Sequence, residues 1–105
     1  MYVKKQKTIK DVERNFVDSL LKKRSLKNVG VSNHFIDRIV DRRIDERLVM
    51  RGINKLADNI NQIVVDFASK KKETSVQVDD FVIKISYLGN CRILLATCYQ
   101  TSNRD

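Results

Sequence analysis

The sequence contains a single histidine, and two arginines follow it at helical spacing. His34, Arg38 and Arg42 stand at positions i, i+4 and i+8, so a helix through this segment places them on one polar strip. An imidazole exchanges a proton near neutral pH, and guanidinium groups hold phosphate oxygens while charge develops on them. The strip therefore suits phosphodiester chemistry. The plainer alternative, which spacing alone favours, is an exposed histidine on a helix whose arginines pair with Asp37 and Asp41.

Other catalytic systems have weaker support in this sequence. Cys91 and Cys98 lie within strand patterns, where we expect them to be packed rather than to act as nucleophiles. One histidine and two separated cysteines do not provide a recognised zinc-ligand spacing, and three scattered glycines do not form a phosphate-binding loop. We therefore expect neither a metal nor a cofactor.

Apolar residues at steps of three and four predict three amphipathic helices in the N-terminal part of the chain. Each has a side chain that can cap its first turn. A hydrophobic staple between Ile44 and Val49 supports the start of the third helix. The predicted helices cover about 8–26, about 33–43 and about 46–59, with Thr8, Ser32 or Asn33, and Asp45 as their N-caps.

From Gln62 onward the apolar period changes to two, which predicts four strands. Asp79-Asp80 and Gly89-Asn90 are typical of turns, the second closing a two-residue hairpin. The strands are predicted around 63–67, 76–78, 81–88 and 91–100. We expect one α+β domain over 1–105, with about three helices packed on one face of a four-stranded antiparallel sheet. Its parts are a basic helix in 1–30, a helix pair in 31–60 and the sheet in 62–100.

The predicted hairpin turn assigns side chains to the two faces of the sheet. It pairs Lys84 with Leu95 and Val82 with Thr97. The face toward the helices would carry Phe81, Ile83, Ile85, Leu94, Ala96 and Cys98. The open face would carry Val82, Lys84, Ser86, Ile93, Leu95, Thr97 and Tyr99, and it is either functional or covered as a homodimer interface or second core.

The charge of the chain indicates a polyanionic partner. Its 21 Lys+Arg and 13 Asp+Glu give a formal net charge of +8. RNA, DNA, an anionic membrane surface and an acidic protein are the candidate partners. A membrane role is less favoured, because the apolar stripe of the first helix is what packing on a sheet requires. Two basic clusters, Lys22-Lys23-Arg24 and Lys70-Lys71-Lys72, are expected to hold a nucleic-acid backbone without reading sequence.

Two cysteines do not form a disulfide framework, which fits a reducing, cytoplasmic location. The segment from Met1 to Lys10 has no apolar run typical of a signal peptide. No stretch approaches the roughly 18 apolar residues of a spanning helix.

The helical segment carries a family resemblance. The run Ser32-x-His34-x-x-Asp37-Arg38-x-x-x-Arg42-x-Ile44-Asp45-Glu46-x-x-Val49 resembles the helical motif of the RegB family, which is grouped with the RelE/barnase-like ribonucleases. RegB proteins are phage-encoded, sequence-specific mRNA endoribonucleases. The motif match covers about residues 31 to 56, and the predicted order of helices followed by sheet agrees with that superfamily.

The resemblance implies metal-free cleavage of single-stranded mRNA by attack of the ribose 2′-hydroxyl, which leaves a cyclic phosphate. His34 then matches a catalytic histidine, acting as general base, and Arg38 a phosphate-side arginine, with Arg42 completing the phosphate clamp. Extending the register puts Asn54 where the family has a second catalytic histidine. The general acid would then come from Lys84 or Tyr99.

The resemblance also implies an RNA surface on the open face of the sheet. Tyr99 and Phe35 are candidates to stack on unpaired bases, and Thr97 would contribute to the wall of the site. The compartment would be the host cytoplasm if the chain is phage-encoded. A host protein is a further candidate partner, and the chain could be a monomer or a homodimer.

The alternative function belongs to a different class. Because Asn54 replaces the second histidine, the chain could be a catalytically silent relative that binds RNA, DNA or a host protein. The intact His34, Arg38 and Arg42 strip favours the enzyme.

Overall fold

The computed structural model describes residues 8–102, which form four helices and four strands. The fold is α+β, as predicted, although it has one helix more than expected. In chain order the elements are α1 (Ile9–Lys23), β1 (Val29–Val31), α2 (Asn33–Asp41), α3 (Glu46–Asp58), α4 (Ile60–Ala68), β2 (Glu73–Val78), β3 (Phe81–Gly89) and β4 (Arg92–Gln100).

The predicted N-caps of the first three helices are confirmed. The Thr8 hydroxyl accepts a hydrogen bond from the backbone N–H of Asp11, whose carboxylate accepts from the Thr8 N–H in return. At the start of α2 the Ser32 hydroxyl accepts from the backbone N–H of Phe35, and at the start of α3 the Asp45 carboxylate accepts from that of Arg47. These side chains satisfy backbone donors that have no partner inside the helix, so they fix where each helix begins.

The prediction of a strand at 63–67 is wrong, because these residues belong to helix α4. Ile63 and Phe67 are buried on its inner side, whereas Val65 is 55 % exposed. A short apolar run fits both a helix and a strand, so its periodicity does not discriminate between them. The fourth strand is instead β1, whose three residues are too few to show a period.

The sheet is mixed rather than purely antiparallel, and its strand order is β1-β4-β3-β2. Strand β1 runs parallel to β4 and pairs only with residues 93–95. Beyond that point α2 runs beside β4 in place of a strand. The Ser32 N–H donates to the Leu95 carbonyl, and the Ser32 hydroxyl donates to the Ala96 carbonyl. The start of α2 is therefore attached to the edge of β4.

The register of the β3–β4 hairpin differs from the prediction. The turn residues are Asn90 and Cys91, both in the left-handed region at φ 54° and 61°. Lys84 pairs with Thr97 rather than Leu95. Two register shifts, one at Leu88 and one at Ala96, leave each of these residues without a partner on the opposite strand. They are β-bulges, which a simple alternation rule does not foresee.

Between the two bulges, the side chains of β4 lie on the opposite faces of the sheet from those predicted. Ile93 and Leu95, predicted on the open face, are buried in the core at 3 % and 0 % exposure. Leu94 and Ala96, predicted in the core, are half-buried. Beyond the bulge the alternation returns to the predicted one, because Thr97 and Tyr99 pair with Lys84 and Val82.

The predicted turn at Asp79-Asp80 is also confirmed.

A single hydrophobic core joins the helices to the sheet. Gly52 allows α3 to approach the sheet closely, since a Cβ there would lie 2.9 Å from Ile83 Cδ1 and from Phe81 Cε2. The fully buried side chains at the centre of the core include Val17, Phe35, Val49, Ile53, Leu56, Phe81, Ile83, Ile85, Leu95 and Cys98. No helix within 8–102 has both the length and the apolar character needed to cross a membrane.

Candidate functional site

Helix α2 presents the His34 strip on the side away from the core. Ile36 and Ile39 are buried on its inner side, and the helix ends where Arg43 adopts φ 51°. His34 and Arg42 are exposed and Arg38 is half-buried. The backbone N–H of Arg42 caps the last turn by donating to the carbonyls of Arg38 and Val40. The predicted strip is therefore continuous and accessible along one helix.

The strip meets the sheet at the end of β4. Arg38, Arg42, Tyr99 and Gln100 line a depression of ≈ 200 Å³, which we call the arginine pocket. Tyr99 is 40 % exposed, so its ring and hydroxyl are available to a ligand at the pocket. Two guanidinium groups beside a phenol form a site suited to an anion that carries an aromatic group.

His34 is linked to the pocket through Arg38. The Nε of Arg38 donates to Nε2 of His34 over 3.4 Å, which is long for a hydrogen bond. In this contact Nε2 of His34 is the acceptor, so its lone pair faces Arg38. His34 can act as a general base at Nε2 only after Arg38 turns away, for example to bind a phosphate.

Cys98 lies beneath the strip and is fully buried, as predicted. Its Sγ donates to the carbonyl of Phe35 over 3.8 Å. Burial raises the pKa of the Cys98 thiol to about 12, and the positive charge of Arg38 opposes this only in part. The thiol therefore stays protonated and packs rather than reacts. Cys91, which we also expected to be packed, is exposed in the hairpin turn.

The sheet contributes a row of side chains next to the pocket. Tyr99 pairs with Val82, and Thr97 pairs with Lys84, one step further along the same face. Directly paired residues have Cβ atoms about 5 Å apart, so the four side chains are contiguous. Lys84 is exposed, Thr97 is half-buried, and Val82 is 5 % exposed and forms an apolar floor. Of this row, only Tyr99 lines the arginine pocket.

Phe35 and the lysine loop do not line the pocket. The ring of Phe35 is fully buried, so it fills the core and offers no surface on which a base could stack. Lys70, Lys71 and Lys72 are exposed and come directly before β2 in the chain. The first residue of β2, Glu73, pairs with Ser86 of β3. Ser86 is four residues along β3 from Val82, or about 13 Å. The lysine loop therefore stands at the opposite end of the sheet from Tyr99.

The basic end of α1 is likewise separate from the pocket. Lys22 and Lys23 are exposed in the last turn of α1. Arg24 donates to Asn54 Oδ1 over 3.2 Å and forms an ion pair with Asp58 at 2.6 Å. These contacts place the cluster against α3 in the helical layer.

Asn54, the position matched to a second histidine, does not reach the strip. Asn54 contacts Arg24, whereas Asn33, next to His34, contacts Arg14 at 2.6 Å. Ten residues of α1 separate Arg14 from Arg24, or about 15 Å of helix. In this fold a side chain at Asn54 is held by the helical layer.

Sequence reasoning missed two residues that shape the site. Gln100 lines the pocket, but strand alternation assigns it to the face opposite Tyr99. Ser32 was predicted only as a cap, yet it also attaches α2 to β4. The Ala96 bulge, to which Ser32 bonds, has no signal in the sequence.

Within residues 8–102, no group of three or more His, Cys, Asp or Glu side chains is placed to hold a metal ion. No protein-family model, no curated protein and no solved structure matches this chain. The resemblance to the RegB family therefore rests on the motif residues of α2 and α3 alone.

Proposed function

We propose that this protein is an endoribonuclease that cleaves single-stranded RNA by attack of a ribose 2′-hydroxyl on the adjacent phosphate. The observation that carries the proposal is the arginine pocket, in which Arg38 and Arg42 face Tyr99. His34 stands within hydrogen-bond distance of Arg38. A base, two phosphate-binding groups and a stacking ring are what this reaction requires.

In the proposed reaction, Arg38 turns from His34 to the bound phosphate, and the freed Nε2 of His34 takes the proton of the 2′-hydroxyl. The 2′-oxygen then attacks phosphorus, the bond to the 5′-oxygen breaks, and a 2′,3′-cyclic phosphate forms. Arg38 and Arg42 stabilise the charge that develops on the phosphate oxygens. The leaving 5′-oxygen takes a proton from the Tyr99 hydroxyl or the Lys84 ammonium, which are the donors on the adjoining sheet face. No metal takes part in these steps.

The open sheet face supports a single-stranded substrate. Tyr99, Thr97 and Lys84 follow one another along the row next to the pocket. An exposed tyrosine can stack on a base only if that base is unpaired, and Lys84 can contact a neighbouring phosphate. The resemblance of the motif adds three further parts to the proposal. They are a phage origin, mRNA as the natural substrate and a cytoplasmic location.

The position of Asn54 favours a second candidate function. No second histidine accompanies His34, and Asn54 is held by Arg24 away from the strip. A chain without an efficient general acid would bind RNA at the arginine pocket without cleaving it. This candidate is a silent RNA-binding module of the same fold.

The test is incubation of the purified protein with end-labelled single-stranded RNA in EDTA. We expect the wild type to release fragments with cyclic-phosphate ends, and His34→Ala and Arg38→Ala to lose at least about 100-fold in rate. Arg47→Ala is the matched control, because Arg47 is an exposed arginine on α3 with 86 % side-chain exposure. Its rate should equal that of the wild type.

Two outcomes contradict the enzyme. Undiminished cleavage by His34→Ala removes the histidine from the mechanism. Absence of cleavage by the wild type, with salt-sensitive RNA binding that Arg38→Ala weakens, establishes the silent binding module instead.

A further inference from the structure

Helix α4 is more apolar than its burial explains. Six of its nine residues are apolar, namely Ile60, Ile63, Val64, Val65, Phe67 and Ala68. Only Ile63 and Phe67 are buried, while Val64 and Val65 are 44 % and 55 % exposed. A helix that is apolar on more than one side is normally covered on each of them.

A groove runs alongside this helix. Two depressions, of ≈ 80 Å³ and ≈ 240 Å³, share Val64, Cys91 and Ile93 as lining residues and form one continuous feature. Phe67 and Tyr87 stack at one end with their ring centroids 5.1 Å apart. Leu26 and Val29 are at the other end. We call this feature, between α4, the β3–β4 turn and the segment before β1, the α4 groove.

The surroundings of the α4 groove are strongly basic. Lys27 lines it directly, Lys70 to Lys72 follow α4, and Arg92 follows Cys91 in the chain. The neighbouring Asp66 lies 3.9 Å from Lys71. Within 8–102, no ion pair is found for Lys27, Lys70, Lys72 or Arg92. The groove thus combines an aliphatic floor with unneutralised cations.

We propose that the α4 groove docks an acidic amphipathic helix of a partner protein. Apolar side chains at positions i, i+3, i+4 and i+7 of such a helix fit an elongated aliphatic groove. Its carboxylates would meet Lys27, Lys70, Lys72 and Arg92 at the rim, which also accelerates association. The surface lies at the opposite end of the sheet from Tyr99, and the proposal does not depend on ribonuclease activity.

Two other occupants fit this surface less well. A symmetric dimer through α4 would bring identical basic rims together, and the resulting repulsion opposes it. RNA would find few stacking surfaces, because the floor is aliphatic and the Phe67 and Tyr87 rings already stack on each other.

The test uses a fluorescent peptide of about 18 residues, long enough to form a helix, with Leu at i, i+3, i+4 and i+7 and mainly Glu elsewhere. Fluorescence anisotropy should show saturable binding to the full-length protein. Val64→Ser should weaken binding about tenfold, because it removes apolar contact from the centre of the groove. Val12→Ser on α1 is the matched control, since Val12 is 51 % exposed, and binding should be unchanged.

Two further measurements test the charge and the location. The double variant Lys70→Glu, Lys72→Glu should weaken binding at least tenfold, and a peptide with Lys in place of Glu should not bind. On the unmutated protein, the acidic peptide should protect the exposed Cys91 from iodoacetamide. This readout does not depend on any variant folding.

Several outcomes overturn the proposal. They are equal binding by Val64→Ser and Val12→Ser, equal binding of the basic peptide, and lack of protection at Cys91. A dimer that Val64→Ser dissociates would identify a second copy as the occupant, and displacement of the peptide by single-stranded RNA would identify nucleic acid.

Discussion

Glu13 carries the one buried side-chain oxygen without a hydrogen-bond partner within 8–102, namely its Oε2. Burial raises the pKa of the Glu13 carboxyl, and the neighbouring Glu46 carboxylate raises it further. When folding raises the pKa of an acid, the acid contributes its full stabilisation only at a pH below its pKa in the unfolded chain. That contribution is lost as the pH rises through its pKa in the folded protein. Glu13 therefore opposes folding at neutral pH.

We predict that Glu13→Gln stabilises the protein at pH 7 by about 0.5–1 kcal/mol, because the amide is neutral and can donate to Glu46. The gain should shrink as the pH falls toward the ordinary glutamate value of 4.5 and vanish below it. Urea unfolding of the wild type and the variant at pH 7 and pH 4 measures the gain in stability and its loss at low pH. Glu73→Gln, at an exposed site on β2, should change neither. A gain that persists at pH 4 would rule out this electrostatic origin.

The two thiols should differ strongly in reactivity. Ellman's reagent should modify Cys91 in the native protein, because Cys91 is exposed. Cys98 should react only after unfolding, since it is buried and its pKa is raised to about 12. The native protein should therefore titrate one thiol and the denatured protein both. Rapid modification of both in the native state would show that α2 separates readily from β4.

Periodicity in the sequence predicts which candidate residues share a surface. Helical periodicity alone assigns His34, Arg38 and Arg42 to one side of α2, and strand alternation assigns Lys84 and Tyr99 to one face of β3–β4. Burial of Phe35 follows equally from its place beside Ile36 in the apolar stripe. The proximity of Arg38 to Tyr99 could not be predicted, because it depends on where α2 lies against the sheet.

Among the elements, the contact of α3 with the sheet depends on Gly52. We predict that Gly52→Ala destabilises the protein by about 1–3 kcal/mol, although alanine favours a helix. The added Cβ would lie 2.9 Å from Ile83 Cδ1 and from Phe81 Cε2. Gly30→Ala is the control, because its Cβ would meet Leu94 Cδ1 at 3.5 Å, an ordinary contact. The measurement is the midpoint of thermal unfolding of each variant. Equal midpoints for Gly52→Ala and Gly30→Ala would refute the close approach of α3 to β3.

The attachment of α2 to β4 depends on Ser32. We predict that Ser32→Ala costs about 1–2 kcal/mol, since it removes the helix cap and the hydrogen bond to the Ala96 carbonyl together. Thr8→Ala removes only a cap and should cost less. If the enzyme proposal holds, Ser32→Ala should also slow cleavage while the protein remains folded, whereas Thr8→Ala should not. Equal effects on stability would mean that the bond to β4 contributes nothing.

The elements that the sequence did not predict share a physical cause. Strand β1 has three residues and is stabilised by pairing with β4, not by its own pattern. Helix α4 contains an apolar run that suits either structure, and it packs on the sheet through the stacking of Phe67 on Tyr87 of β3. The bulge at Ala96 is stabilised by Ser32, which is 64 residues away in the chain. Each depends on a long-range contact that local reasoning does not include.

For the whole molecule, the net charge of +8 is spread over separate surfaces rather than collected at the site. Lys22 and Lys23 lie at the end of α1, next to Arg24 in the helical layer. If RNA binds the open sheet face, the variant Lys22→Ala, Lys23→Ala should keep the wild-type dependence of binding on salt. A slope of log K against log[salt] reduced by about 1.4 would show that RNA also covers α1. Fluorescence titrations with single-stranded RNA at several salt concentrations measure it.

The parallel pairing of β1 with β4 also sets a time order for synthesis. His34, Arg38 and Arg42 are translated before residues 93–100, which form the edge against which their helix lies. A nascent chain that stops before Arg92 contains the whole strip and none of the strand that completes the arginine pocket. If the pocket cleaves RNA, a nascent chain stays inactive until β4 has been translated and can pair with β1.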